Sequence, residues 1–198
     1  MRLFVALTPP QDALAELEAA VAELRADWPG LRWAGQDRWH LTLAFLGEVA
    51  ENRLDGLRDR LARAAGRHRV LRLRIGRGGA LPSPAKARVL CAHIDGDAQA
   101  LSDLGRLAGS VAAAARRAGA PPPAEGRRYR PHVTLARSKR PANLGPLVAS
   151  LSEFSGTPWD AAMVELILSH IGPQPTYETI GSWPLRERGE RGRPDDPS

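Results

Sequence analysis

The chain has 198 residues, 43% of them hydrophobic and 25% charged, which suits one domain with its own core. No apolar run approaches the ~20 residues of a membrane helix, and the single cysteine, Cys91, excludes an internal disulfide or a cysteine-based zinc site. The net charge of +6 is carried by arginine, the only lysines being Lys86 and Lys139. Guanidinium forks match phosphate oxygens, so a phosphate-rich partner fits, although a coding bias toward arginine gives the same composition.

The opening Arg2–Leu7 segment reads as a strand, too short and too lacking in a cleavage site for a signal peptide. Leu14, Leu17, Val21 and Leu24 then share one face of a helix over 11–26, stopped at Trp28-Pro29-Gly30. A short strand is expected at 31–33, a stronger one at 39–46, and a helix over 50–65. Strands at 70–75 and 87–94 flank a Gly/Pro/Ser-rich connection, and an Ala-rich helix follows over 98–118. Beyond the Pro121-Pro122-Pro123 loop come a strand at 129–136, a short helix at 144–151, and strands at 162–169 and 177–183. Residues 1–186 are expected to form one domain and 187–198, without apolar anchors, a disordered charged tail. The whole fits a soluble cytoplasmic protein of α+β class.

Two segments repeat. Trp39-His40-Leu41-Thr42-Leu43-Ala44-Phe45-Leu46 and Pro131-His132-Val133-Thr134-Leu135-Ala136-Arg137-Ser138 match closely, whereas a His-x-Thr-hydrophobic string is expected only about 0.07 times by chance in this composition. Two copies imply two lobes, each an antiparallel sheet with outer helices, related by a pseudo-two-fold axis around a central groove. Strand alternation sends Leu41, Leu43 and Phe45 into the core and His40 and Thr42 to the other face. His132 and Thr134 repeat this, with Val133 and Leu135 inside.

Two imidazoles and two hydroxyls facing one groove suit phosphodiester chemistry. With an ordinary pKa near ~6.5, one histidine can take a proton from water while the other gives one to the leaving oxygen. Thr42 and Thr134 can donate to the non-bridging oxygens. A metal site is disfavoured, since neither strand carries a carboxylate beside its histidine. His68 and His93 read as surface and structural residues, and His170 as a solvated strand-end side chain.

With these motifs and the flanks Arg2–Leu7, Gly47-Glu48-Val49, Ala87–Leu90 and Tyr177–Leu185, the chain resembles the two-histidine phosphoesterases, specifically the LigT-like RNA 2′,3′-cyclic phosphodiesterases once called 2′-5′ RNA ligases. The resemblance implies cofactor-free, metal-free hydrolysis of a 2′,3′-cyclic phosphate at an RNA 3′ end to a 2′-phosphomonoester. His40 would be the proton donor, His132 the proton acceptor, and Thr42 and Thr134 the phosphate ligands. Phe45 and Arg137, each five residues after a histidine, would stack on a base and contact phosphate. The alternation above instead places Phe45 in the core, and Arg137 needs a bulge to reach the groove. RNA ends are the expected partner, with no membrane, and one chain carrying both motifs suffices as a monomer. Competing readings are 2′-5′ ligation, hydrolysis of a small cyclic nucleotide, and a non-catalytic RNA-end-binding module.

Overall fold

A computed structural model describes residues 1–120, 129–170, 172 and 175–187. The proline-rich loop at 121–128 and nearly all of the expected tail lie outside the described residues. Strand β1 (Arg2–Leu7) is followed by α1 (Gln11–Asp27), β2 (Arg32–Trp33), β3 (Leu41–Glu48) and α2 (Leu54–Ala65). Next come β4 (Leu71–Leu81), β5 (Ala87–Asp95), α3 (Ala98–Arg117), β6 (His132–Ala142), α4 (Gly145–Ser150), β7 (Trp159–Ala161), β8 (Met163–His170) and β9 (Thr176–Pro184). Helix α3 starts at Asp97, whose carboxylate accepts the Ala100 N–H at 2.6 Å, satisfying an otherwise orphaned donor.

The strands run antiparallel in the order β7-β4-β5-β6-β3-β1-β8-β9, with β2 on β6. The expected two lobes are therefore halves of one curled sheet. Reading outward from the β6–β3 seam, β5, β4 and β7 on one side mirror β1, β8 and β9 on the other. The mirror reflects a repeated β-α-β-α-β order: β1, α1, β3, α2, β4 and then β5, α3, β6, α4, β8. The last strand of each repeat pairs with the first strand of the other, β4 with β5 and β8 with β1. Neither repeat thus completes its sheet alone.

The seam is narrow. Strands β3 and β6 share one register pair, Leu41 opposite Val133, and β2 continues along β6 with Arg32 opposite Arg137 and Trp33 opposite Ala136. The Tyr129 hydroxyl donates to the Thr42 carbonyl at 3.1 Å, tying the approach to the second motif onto the first. One large core draws on both halves, with Leu3, Val5, Leu7, Leu41, Leu90, Leu104, Val133 and Leu166 among its members. Strand β1 is buried on both faces, because Phe4 and Ala6 join Ile167 and Tyr177 in a small second cluster opposite the main core.

Strand β4 runs six residues past the expected end at Ile75, through Gly76, Gly78 and Gly79. These glycines permit close packing. A Cβ at Gly78 would lie 2.6 Å from the Leu151 Cβ, and one at Gly79 would run into the His93 ring. Among the described residues, no helix is long and apolar enough to cross a membrane.

Candidate active site

His40 lies between the end of a 3-10 turn at Gln36–Arg38 and the start of β3. Its chain neighbours Trp39 and Leu41 are both buried in the main core. With those two held inward, the imidazole turns to the opposite face. There it lies against Phe4, with ring centroids 4.6 Å apart and planes 31° apart, and Tyr177 meets it edge-on at 5.3 Å. Tyr177 also meets Phe4 edge-on at 5.1 Å, and Phe45 stands 6.2 Å from Phe4.

His132 opens β6, its Nδ1 2.7 Å from the Arg130 carbonyl oxygen. A carbonyl can only accept, so Nδ1 carries the hydrogen and Nε2 of the neutral ring keeps its lone pair. Leu41 stands opposite Val133 at the antiparallel seam, so His40 and Thr42 flank this pair on one strand and His132 and Thr134 flank it on the other. Strand alternation turns these four side chains to the face away from the buried Leu41 and Val133.

Burial pushes the His40 imidazole down to about 4; charge on His132 and on Arg137 adds to this, and the Arg38 carbonyl opposes it. His132 is also lowered, again chiefly by burial and then by Arg137, against the pull of the Arg130 carbonyl. One guanidinium therefore acts on both rings.

Arg137 arrives there through a bulge. Along β5 and β6, Cys91 pairs with Thr134 and Leu90 with Ala136, so Leu135 is an extra residue. Along β1 and β3, Ala6 pairs with Thr42 and Val5 with Ala44, which makes Leu43 the extra residue. Both bulges fall three residues after the histidine, and each puts two successive buried residues in the strand: Leu43 with Ala44, and Leu135 with Ala136. The phase of alternation shifts by one. Phe45 is consequently 60% exposed and out of the core, contrary to simple alternation, and shares the face of Thr42. Arg137 occupies the matching position of the second motif and is exposed as well.

His93, read as structural, lies nearer the site than its sequence context indicates. It pairs directly with His132 across β5 and β6, which puts both rings on one face. Burial lowers it first, then Arg77, with Asp95 opposing and His132 and Arg130 adding. The signal that would have found it is the pairing register, which no local motif encodes. His68, read as a surface residue, is half-buried and bonds the Ser110 hydroxyl at 2.8 Å. His170 is exposed and pairs with Glu178 at 3.1 Å. Among the described residues no three His, Cys, Asp or Glu side chains gather as a metal site.

An arrangement of two imidazoles, two hydroxyls and a guanidinium on one face of a duplicated antiparallel sheet defines a phosphoesterase of the two-histidine class. The model of LigT like phosphoesterases matches residues 7–91 and again 95–177, and the chain belongs to that family. It is 32% identical over 197 residues to an RNA 2′,3′-cyclic phosphodiesterase of Thermus thermophilus, covering 98% of this chain and 93% of the relative. It is 35% identical over 150 residues to an RNA 2′,3′-cyclic phosphodiesterase of Aeropyrum pernix, covering 73% of this chain and 80% of that one. Among solved structures, TT0787 of Thermus thermophilus superposes with a TM-score of 0.75 at 28% identity, over 96% of this chain and all of that one. E. coli LigT in apo form has the same fold, with a TM-score of 0.68 at 23% identity over 93% of this chain and 97% of that one.

Proposed function

We propose that the chain hydrolyses 2′,3′-cyclic phosphates at RNA 3′ ends to 2′-phosphomonoesters, without a metal, using His40 as acid and His132 as base. The names of the Thermus and Aeropyrum relatives support the substrate class. One observation supports the chemistry: Leu41 pairs with Val133 at the seam, so the histidine and threonine of each motif flank a shared pair of residues.

In this reading the Nε2 lone pair of neutral His132 takes a proton from water as the water oxygen attacks phosphorus. The P–O3′ bond breaks, and protonated His40 delivers its proton to the departing 3′ oxygen, leaving the phosphate on the 2′ oxygen. Water supplies the hydroxyl and the 3′ oxygen leaves as an alcohol, so atoms and charge balance. The Thr42 and Thr134 hydroxyls and Arg137 donate to the non-bridging oxygens, where negative charge is held through the transition state. Phe45, exposed and next to Phe4, offers an aromatic face to the terminal base. The near-symmetric rings leave the bound nucleotide to decide which end of the cleaved bond each one serves.

The test is incubation with an oligoribonucleotide ending in a 2′,3′-cyclic phosphate, in excess EDTA. The expected product gains one negative charge and, once treated with phosphatase, loses its terminal phosphate. An unchanged substrate, or activity abolished by EDTA, contradicts the proposal.

A further inference from the structure

Beside the reaction centre, between β2 and β6, lies a cavity of about 130 Å³ lined by Arg32, Arg137, Ser138 and Lys139. Arg32 stands directly opposite Arg137 in the β2–β6 ladder. Like charges facing each other across a strand pair repel and weaken it. Among the described residues, none of Arg32, Arg137 or Lys139 has a carboxylate at ion-pair distance. The Arg88 guanidinium reaches the Lys139 carbonyl at 3.3 Å and adds a fourth cation at the rim. A scatter of solvated arginines would not face one another across a concavity. This cluster is arranged for an anion.

The cavity's size fits a small anion. Sites that enclose drug-sized molecules run to roughly 300–1,000 Å³, whereas this one, at about 130 Å³, is of a size for a phosphate group. Its position narrows the ligand further. Arg137 lines the cavity and also acts on both His40 and His132, so one guanidinium separates the cavity from the reacting phosphate. A 2′,3′-cyclic phosphate closes the 3′ end of its strand, and the next anion along such a substrate is the phosphodiester on its 5′ side.

We propose that Arg32 and Lys139, with Ser138 between the two motif-side cations, form a subsite for the backbone phosphodiester of the nucleotide 5′ to the cyclic end, an inference that rests on the function proposed above. The subsite makes the chain selective for oligomer ends over cyclic mononucleotides. Arg32 supplies a forked donor for two phosphate oxygens and Lys139 a point charge.

The experiment compares kcat and KM for a cyclic mononucleotide and for a dinucleotide ending in a 2′,3′-cyclic phosphate. It uses the unaltered chain, Lys139→Ala, and Arg32→Ala combined with Lys139→Ala. The unaltered chain is expected to favour the dinucleotide by about 10-fold or more in kcat/KM, mainly through KM, since each charge-assisted contact acts on binding. The double variant is expected to lose that preference while keeping mononucleotide turnover, and to flatten the salt dependence of dinucleotide KM by about 0.7 log units per log unit of salt, the slope for one phosphate contact in a single strand. Lys139→Ala, at an exposed position, falls between the two and serves if the double variant folds poorly. Equal kcat/KM for the two substrates in the unaltered chain overturns the subsite while leaving the hydrolytic function standing, as does an equal loss on both substrates in the variants. Failure to hydrolyse either substrate overturns the function and the subsite with it.

Discussion

Lowering the pH from 7 to 5 should destabilise the chain partly through His40 alone, and the size of that part follows from its surroundings. The ring is packed against Phe4 and Tyr177 and is held down to about 4 by burial first and by nearby positive charge second. In the unfolded chain it titrates near ~6.5. Between those values the unfolded state binds the extra proton, so stability falls as pH drops below about 6.5 and the loss is complete below about 4. Integrated from pH 7 to pH 5, the linkage costs about 2 kcal/mol, or roughly 4–8 °C in Tm for a chain of this length. Other imidazoles contribute too, since His68, His93 and His132 are also lowered. The informative quantity is therefore the difference between the unaltered chain and His40→Asn, measured by urea unfolding at both pH values. That difference should shift by about 2 kcal/mol against the unaltered chain on acidification. A difference unchanged between pH 7 and pH 5 refutes the burial argument, because it would mean that His40 titrates alike in the folded and unfolded states.

The same lowering shapes catalysis: kcat/KM should fall as pH rises, because free His40 loses its proton early, and should fall at acid pH as His132 gains one. A bound phosphate anion raises both rings, so the kcat optimum should lie at higher pH than the kcat/KM optimum, checked by paired pH–rate profiles; coincident optima would contradict this. Phe45→Ala should change stability by no more than about 0.5 kcal/mol, as for an exposed site, yet raise KM about 10-fold by removing a base-stacking face of ~1–3 kcal/mol; a stability loss of the ~3–5 kcal/mol typical of a core phenylalanine would return it to the core. Cys91 is buried and its thiol is pushed up to about 12 by burial, so iodoacetamide at pH 8 should leave it unmodified in the folded chain and alkylate it in urea.

Much of the fold is legible in local periodicity. The helix at Gln11–Asp27 follows from apolar spacing and that at Ala98–Arg117 from its alanine-rich run, and the twin motifs announce the duplication before any pairing is known. The misses share one cause. Glycines 76, 78 and 79 read as a connection, but they are strand residues whose missing side chains make room for Asp95, Leu151 and His93. Phe45 reads as core because alternation is local, whereas the bulge at Leu43 exists only once β3 is laid against β1. Arg137 is the mirror case: its distance from the histidine called for a bulge, and the register supplies one at Leu135. His93 carries no motif of its own and gains its position beside His132 through strand pairing.

In the proposed mechanism His40 and His132 act as one acid–base pair on a single phosphate. Single-turnover rates in EDTA on an oligoribonucleotide with a 2′,3′-cyclic end, for the unaltered chain, His40→Ala and His132→Ala, test it most directly. Each substitution should slow the chemical step by on the order of 10²-fold or more while the RNA end still binds. A variant that keeps near-normal turnover with either imidazole removed would contradict the paired mechanism.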